Sequence, residues 1–215
     1  MESIAALFDL DGTLIDTEPQ YTRFWVEQGI KYCQDPELGL RIKGSTLKQI
    51  LEEYFTPELN IHQKIVADLN FYESQMDFSY ISGTEDFLRD LKKHGVKTAI
   101  VTSSDLRKMN FVFQAHPEIK SYFDAIVLAE DYHKSKPDPD CFLTAAEKLD
   151  VKPSQCIVFE DSHFGLQAGN NAKMTVIGLS TSLPVAEVQS FSSLVIPDYS
   201  KIRFADLQEL LHDCP

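Results

Sequence analysis

Short, almost wholly apolar runs recur along the chain. They are separated by stretches in which apolar residues return every three or four positions. Residues 4–8, 98–101, 125–128, 156–159 and 175–179 read as buried strands, with 194–196 as a short sixth. Runs this short and this apolar suit strands covered on both faces. Helical patterns lie between them. Thr84 is placed to cap a helix whose Phe87, Leu88 and Leu91 share a face, with Gly95 just past its end. Further helices are predicted over 105–113, 139–149 and 204–211. The alternation predicts an α/β fold, a Rossmann-like parallel sheet with right-handed crossovers. Such sheets bind ligands at the carboxyl ends of their strands.

One segment breaks the alternation. From the first strand to Gly83 the chain runs roughly 70 residues without a clear strand, far more than a crossover needs. Residues 17–28, 45–54 and 60–76 read instead as helices. Their apolar faces come from Phe24 and Trp25, from Leu47, Ile50 and Leu51, and from Ile65, Leu69 and Tyr72. The expected organisation is an α/β core of residues 1–15 and 80–215, with an all-helical module of residues 16–79 inserted after the first strand.

Composition narrows the partners. The chain has 215 residues, 43% of them hydrophobic, enough to fill a proper core. Lys and Arg number 20 against 33 Asp and Glu, a formal charge of −13. That balance works against nucleic acid and against an anionic membrane surface, both of which are bound through Lys and Arg. Cys33, Cys141, Cys156 and Cys214 are scattered with no Cys-x-x-Cys pair, which supports neither a zinc site nor a disulfide framework. The apolar start is interrupted by Asp9 and Asp11, and no stretch approaches the ~20 apolar residues of a spanning helix. A cytoplasmic protein is expected.

The candidate chemistry sits at predicted strand ends. Asp9 and Asp11 follow the first strand in Phe8-Asp9-Leu10-Asp11-Gly12-Thr13-Leu14, two apart and so on one side. Like charges this close need a cation or a shared proton. Mg²⁺ prefers such oxygens and often sits beside substrate phosphate. Asp9 can act as a nucleophile, and Asp11 can protonate a leaving oxygen and later activate water. Glu160 and Asp161 follow the strand 156–159 and reach the same edge, where they can close a Mg²⁺ site with Asp9. Thr102 offers a hydroxyl to phosphate at the second strand end, and Ser103 offers N–H groups at a helix start. Lys136 is a point charge for phosphate and nucleophile. Gly12 permits close backbone approach.

Together these segments resemble the four ordered motifs of the haloacid dehalogenase superfamily in its phosphatase form. Asp9-Leu10-Asp11-Gly12-Thr13-Leu14 resembles the first and Ile100-Val101-Thr102-Ser103 the second. The stretch from Ser135 to Phe142, built on Lys136, resembles the third. Val158-Phe159-Glu160-Asp161-Ser162, followed by Gly165-Leu166-Gln167-Ala168, resembles the fourth. The resemblance implies an aspartyl-phosphate on Asp9, a metal set that adds the backbone carbonyl of Asp11, and a helical cap that carries specificity. The hinges of that cap are expected near 14–18 and 80–83. The implied partner is a small phosphate ester, handled by a monomer or weak dimer.

Within the superfamily the chain is similar to the β-phosphoglucomutase, phosphoglycolate phosphatase and sugar-phosphatase group. It departs from the mutases at Tyr21, where they carry His, and after Gly44, where their Arg is missing and Ser45, Thr46, Leu47 and Lys48 follow. Tyr21, Lys43, Ser45 and Lys48 are candidate cap contacts. The expected function is Mg²⁺-dependent hydrolysis of a sugar phosphate or similar metabolite. The alternatives are a phosphomutase, a phosphoglycolate phosphatase, or an idle binding module for a phosphometabolite.

Overall fold

The computed structural model describes residues 3–56 and 59–212. Six strands form one sheet: β1 (Ala5–Phe8), β2 (Lys97–Val101), β3 (Ala125–Val127), β4 (Cys156–Glu160), β5 (Thr175–Leu179) and β6 (Leu194–Ile196). Every pairing is parallel, in the order β3-β2-β1-β4-β5-β6. The predicted α/β class and all six strands are present.

Strand alternation splits the core into two layers. Ala6, Phe8, Ile100, Ile157, Phe159 and Ile177 pack on one face, and Ala5, Leu7, Ala99, Val101, Val158 and Val176 on the other. Both faces are covered, which explains why the strands are almost wholly apolar except near their ends. The connection order reverses between β1 and β4, so their carboxyl ends border the crevice where ligands bind in such sheets.

Four helices separate β1 from the remaining elements: α1 (Glu18–Cys33), α2 (Leu38–Arg41), α3 (Leu47–Tyr54) and α4 (Leu59–Glu73). They gather Phe24, Trp25, Leu38, Ile42, Ile50, Phe55, Ile65 and Leu69 into a hydrophobic cluster of their own. The chain leaves and re-enters the sheet layer at one place. The backbone N–H of Asp16 donates to Ser79 O, that of Ile81 donates to Leu14 O, and Ile15 bridges Tyr80.

The other helices are α5 (Thr84–Lys93), α6 (Leu106–Ala115), α7 (Ile119–Tyr122), α8 (Asp140–Leu149), α9 (His163–Asn171), α10 (Val185–Gln189) and α11 (Phe204–His212). The short helices α2, α7 and α10 lay below the length at which periodicity speaks. Helix α1 runs on to Cys33, where Gln34 in the left-handed region ends it.

Thr84 is not the cap of α5. Gly83, with φ of 81°, occupies that position, and the Thr84 hydroxyl donates instead to Ile81 O at 2.7 Å. Cys33, Cys141 and Cys156 are free thiols, and Cys214 lies outside the described residues. Among the described residues no helix is long and apolar enough to cross a membrane.

Candidate active site

Asp9 stands one residue past β1, and its N–H bonds Phe159 O at 3.0 Å, which fixes it beside Glu160. Asp9, Glu160 and Asp161 each present an oxygen within 4.8 Å of the others. Lys136, completely buried, reaches between them. Its ammonium donates to Asp9 Oδ1 at 2.6 Å and to Glu160 Oε1 at 2.7 Å.

The other carboxylate oxygens are also held. Glu160 Oε2 accepts the N–H groups of Asp161 and Ser162 at 2.9 and 2.8 Å and the Ser162 hydroxyl at 2.9 Å. Asp161 accepts the Thr13 hydroxyl at 2.9 Å and the Ser182 hydroxyl. Two glycines make these approaches possible. A Cβ at Gly12 would run into the Asp161 carboxylate, and one at Gly165 into the Glu160 carboxylate. Gly12 is more than a turn residue.

Charge at this end does not balance. One ammonium faces three carboxylates. Burial pushes the Asp9 carboxyl up to about 8, Lys136 pulls against that, and Glu160 and Asp11 push further. Burial, then Glu160, Glu18 and Asp9, hold Asp161 well above the ordinary carboxylate range. Burial opposes the Lys136 charge, but Asp9 and Glu160 overcome it and hold the ammonium well above its ordinary value. A hard divalent cation would supply the missing charge, and an all-oxygen donor set suits Mg²⁺. The residues present fit such an ion. The Asp11 carboxylate is not part of the cluster.

Asp11 belongs to a second arrangement. Its Oδ1 accepts the Thr17 hydroxyl at 2.5 Å, and its Oδ2 accepts the Ser104 hydroxyl at 3.1 Å and the Lys108 ammonium. Lys108 lies 4.4 Å from the centre of the Tyr21 ring, and the Tyr21 hydroxyl donates to Glu73 Oε1 at 2.8 Å. Arg107 donates to Glu73 Oε2 at 2.6 Å, and Lys43 pairs with Glu18 at 3.1 Å. Burial, then the charges of Asp11 and Glu73, push the Tyr21 hydroxyl well above its ordinary value.

A cavity of about 780 Å³ joins the two arrangements. Of the expected residues, Asp9, Asp11, Tyr21, Lys43, Ser45, Lys48, Thr102 and Ser103 line it. Lys136, Glu160, Asp161 and Gly12 sit around Asp9 without lining it. The Thr102 hydroxyl accepts the Ser104 N–H at 3.0 Å. Ser103 is not at a helix start. Asp105 caps α6, and the Ser103 hydroxyl instead donates to Gly44 O of the helical insert at 3.1 Å.

Sequence reasoning missed Thr17, Glu73, Ser104, Arg107, Lys108 and Ser182. Two of these carried a signal. Glu73 continues the Ile65–Leu69 stripe at the same helical spacing, and Lys108 shares the buried face of α6 with Met109 and Val112. A charge in phase with an apolar stripe points into a core or a cavity.

Comparison with known proteins gives the family. The family model for haloacid dehalogenase-like hydrolases matches residues 6–179. The chain belongs to that family. As a haloacid dehalogenase-like hydrolase it is 32% identical to the fructose-1-phosphate phosphatase YqaB of Escherichia coli, over 80% of this chain and 93% of that protein. A family IA, variant 3 hydrolase from Entamoeba histolytica superposes with a TM-score of 0.83 at 28% identity, covering 99% of this chain and 100% of that one. The β-phosphoglucomutase of Clostridium difficile superposes with a TM-score of 0.79 at 26% identity, covering 98% and 97%. The expected class, a phosphatase enzyme, stands with these relatives.

Proposed function

We propose that this hydrolase is a Mg²⁺-dependent cytoplasmic phosphatase that cleaves a small phosphorylated metabolite, of the sugar-phosphate class, through an aspartyl-phosphate on Asp9. The observation that carries the reading is the pairing of Asp9 with the buried Lys136 at 2.6 Å, at one end of a cavity whose wall also holds Asp11. In this reading residues 16–79 are a cap over a core of residues 1–15 and 80–215, and the cavity between them admits a small ester.

Asp9, Glu160 and Asp161 would hold the ion, with the Asp11 carbonyl implied by the family's pattern. When bound, the ion supplies positive charge that lets an anionic phosphate meet an anionic nucleophile. The remaining steps belong to side chains. Lys136 orients the Asp9 carboxylate and offsets its charge. Asp9 Oδ attacks phosphorus and the ester oxygen leaves, taking a proton from Asp11. Asp11 then accepts a proton from the water that attacks the aspartyl-phosphate, releasing phosphate and restoring Asp9. Thr102 and Ser103 bind phosphate oxygens, while Tyr21, Lys43, Ser45 and Lys48 face the leaving group. Closure of the insert over the core excludes bulk water from the phosphoenzyme.

The test is phosphate release from p-nitrophenyl phosphate and a panel of hexose and pentose phosphates, with Mg²⁺ and with chelator. Mg²⁺-dependent release from a sugar phosphate is expected. No release from any ester would overturn the reading. The likeness to a β-phosphoglucomutase supports a second reading, a phosphomutase. Conversion of β-glucose 1-phosphate to glucose 6-phosphate, without free phosphate, would favour it.

A further inference from the structure

Next to Asp11 the cavity wall carries three cations, Lys108 and Arg107 from α6 and Lys43 from the loop after α2, and each is tied to at least one carboxylate. Lys108 pairs with Asp11, Lys43 with Glu18 at 3.1 Å, and Arg107 with Glu73 at 2.6 Å and with Asp105 at 3.3 Å. Lys48 lines the same cavity from an exposed position on α3. Glu73 is the least expected member. It is 3% exposed, and its two oxygens are divided between Tyr21 of α1 and Arg107 of α6. Tyr21 spans from Lys108, under its ring, to Glu73, at its hydroxyl. The Tyr21 ring therefore separates Glu73 from the ammonium that touches Asp11, and both Glu73 and Asp11 line the cavity.

We infer that Glu73 is a specificity-determining residue: by occupying Arg107 it restricts the leaving group to uncharged, polyhydroxylated compounds and turns away esters that carry a second phosphate. The inference rests on the phosphatase reading above and refines its site. A second phosphate brings about two negative charges and needs a free cation. Along this wall Lys43, Arg107 and Lys108 are already matched, Lys48 stays exposed on α3, and the fixed Glu73 carboxylate repels the newcomer. Neutral hydroxyls meet no such barrier. They can donate to a Glu73 oxygen and accept from Tyr21 or Arg107 without breaking a charge pair.

The experiment compares kcat/KM for a hexose 1-phosphate and the matching hexose 1,6-bisphosphate in three proteins. The wild type is expected to favour the monophosphate by about tenfold or more. Glu73→Gln keeps an acceptor for Tyr21, removes one of the two carboxylates on Arg107 and leaves it Asp105 alone, and should shrink that preference about fivefold or more. Arg107→Met leaves Glu73 without its cation and should widen the preference. A loss of folded protein lowers both rates alike and leaves each ratio intact. Ratios that stay constant in both variants, or move the same way in both, overturn the inference. Hydrolysis of p-nitrophenyl phosphate with neither hexose ester cleaved overturns it and spares the phosphatase reading. No hydrolysis of any of the three overturns both.

Discussion

At the sheet end of the cavity one ammonium, Lys136, faces Asp9, Glu160 and Asp161. At the insert end Lys43 and Lys108 each face one carboxylate and Arg107 faces two. The first end is built on strand termini and buried, with an electrostatic deficit that calls for a cation. The second is built on helices α1, α4 and α6 and the loops that carry Asp11 and Lys43, and its Lys43, Arg107 and Lys108 are already paired. An acidic protein can thus present a metal-demanding carboxylate cluster at one end and a wall of paired charges at the other. Net charge reports neither.

The comparison breaks most readily at Asp9. Asp9→Asn should lower turnover of the preferred ester by about 10⁴-fold or more, because no other step substitutes for the nucleophile. It also removes a carboxyl whose charged form burial disfavours, so the melting temperature should hold or rise. Activity within tenfold of wild type would remove Asp9 from its role.

Next come the two lysines. Lys136→Met leaves three carboxylates with no counter-charge and should destabilise the metal-free protein by about 3–5 kcal/mol in urea unfolding. Lys108→Met should cost less, about 1–2 kcal/mol, because Asp11 keeps its Thr17 and Ser104 donors. Equal costs would dissolve the contrast between the ends.

Metal addition gives a third measure. Mg²⁺ at a hundred times its Kd should stabilise the wild type by about 2.7 kcal/mol. Asp161→Asn should lose that gain and Glu18→Gln should keep it, both followed by thermal melting with and without chelator.

The smallest effect is on pH. The Asp9 value of about 8 in the folded chain lies above its ordinary 3.8, so the folded state holds the proton more tightly. The stability this contributes is present below the ordinary value and is lost as pH rises through about 8. Metal-free protein should therefore melt lower at high pH than near neutrality. That slope should be weaker with Mg²⁺ and in Asp9→Asn. An identical slope in all three samples would refute the cause.

The two ends also differ in how far the sequence disclosed them. Asp9, Thr102, Glu160 and Asp161 each lie just past or at the end of a buried apolar run, and in a parallel sheet those ends share one edge. Strand spacing alone therefore brings them together. The pairs Lys108–Asp11 and Arg107–Glu73 depend on how α6 and α4 dock, and helical periodicity does not set docking. Glu73 and Lys108 looked like ordinary polar positions until their phase against Leu69 and Val112 was considered. The Ser103–Gly44 contact was hidden for the same reason, and α6 begins later than the pattern predicted because Asp105 is its cap. Thr84 was misplaced because its neighbour Gly83 takes the left-handed conformation that the turn requires.

The backbone bonds that tie Leu14 and Asp16 to Ile81 and Ser79 bring the two ends of the helical insert side by side. A segment whose entry and exit are neighbours can be exchanged without rerouting the strands on either side. Recombination can then replace residues of the insert while the sheet-end carboxylates stay in register, so the proposed preference for an alcohol and the proposed cleavage of its phosphate would be free to diverge at separate rates.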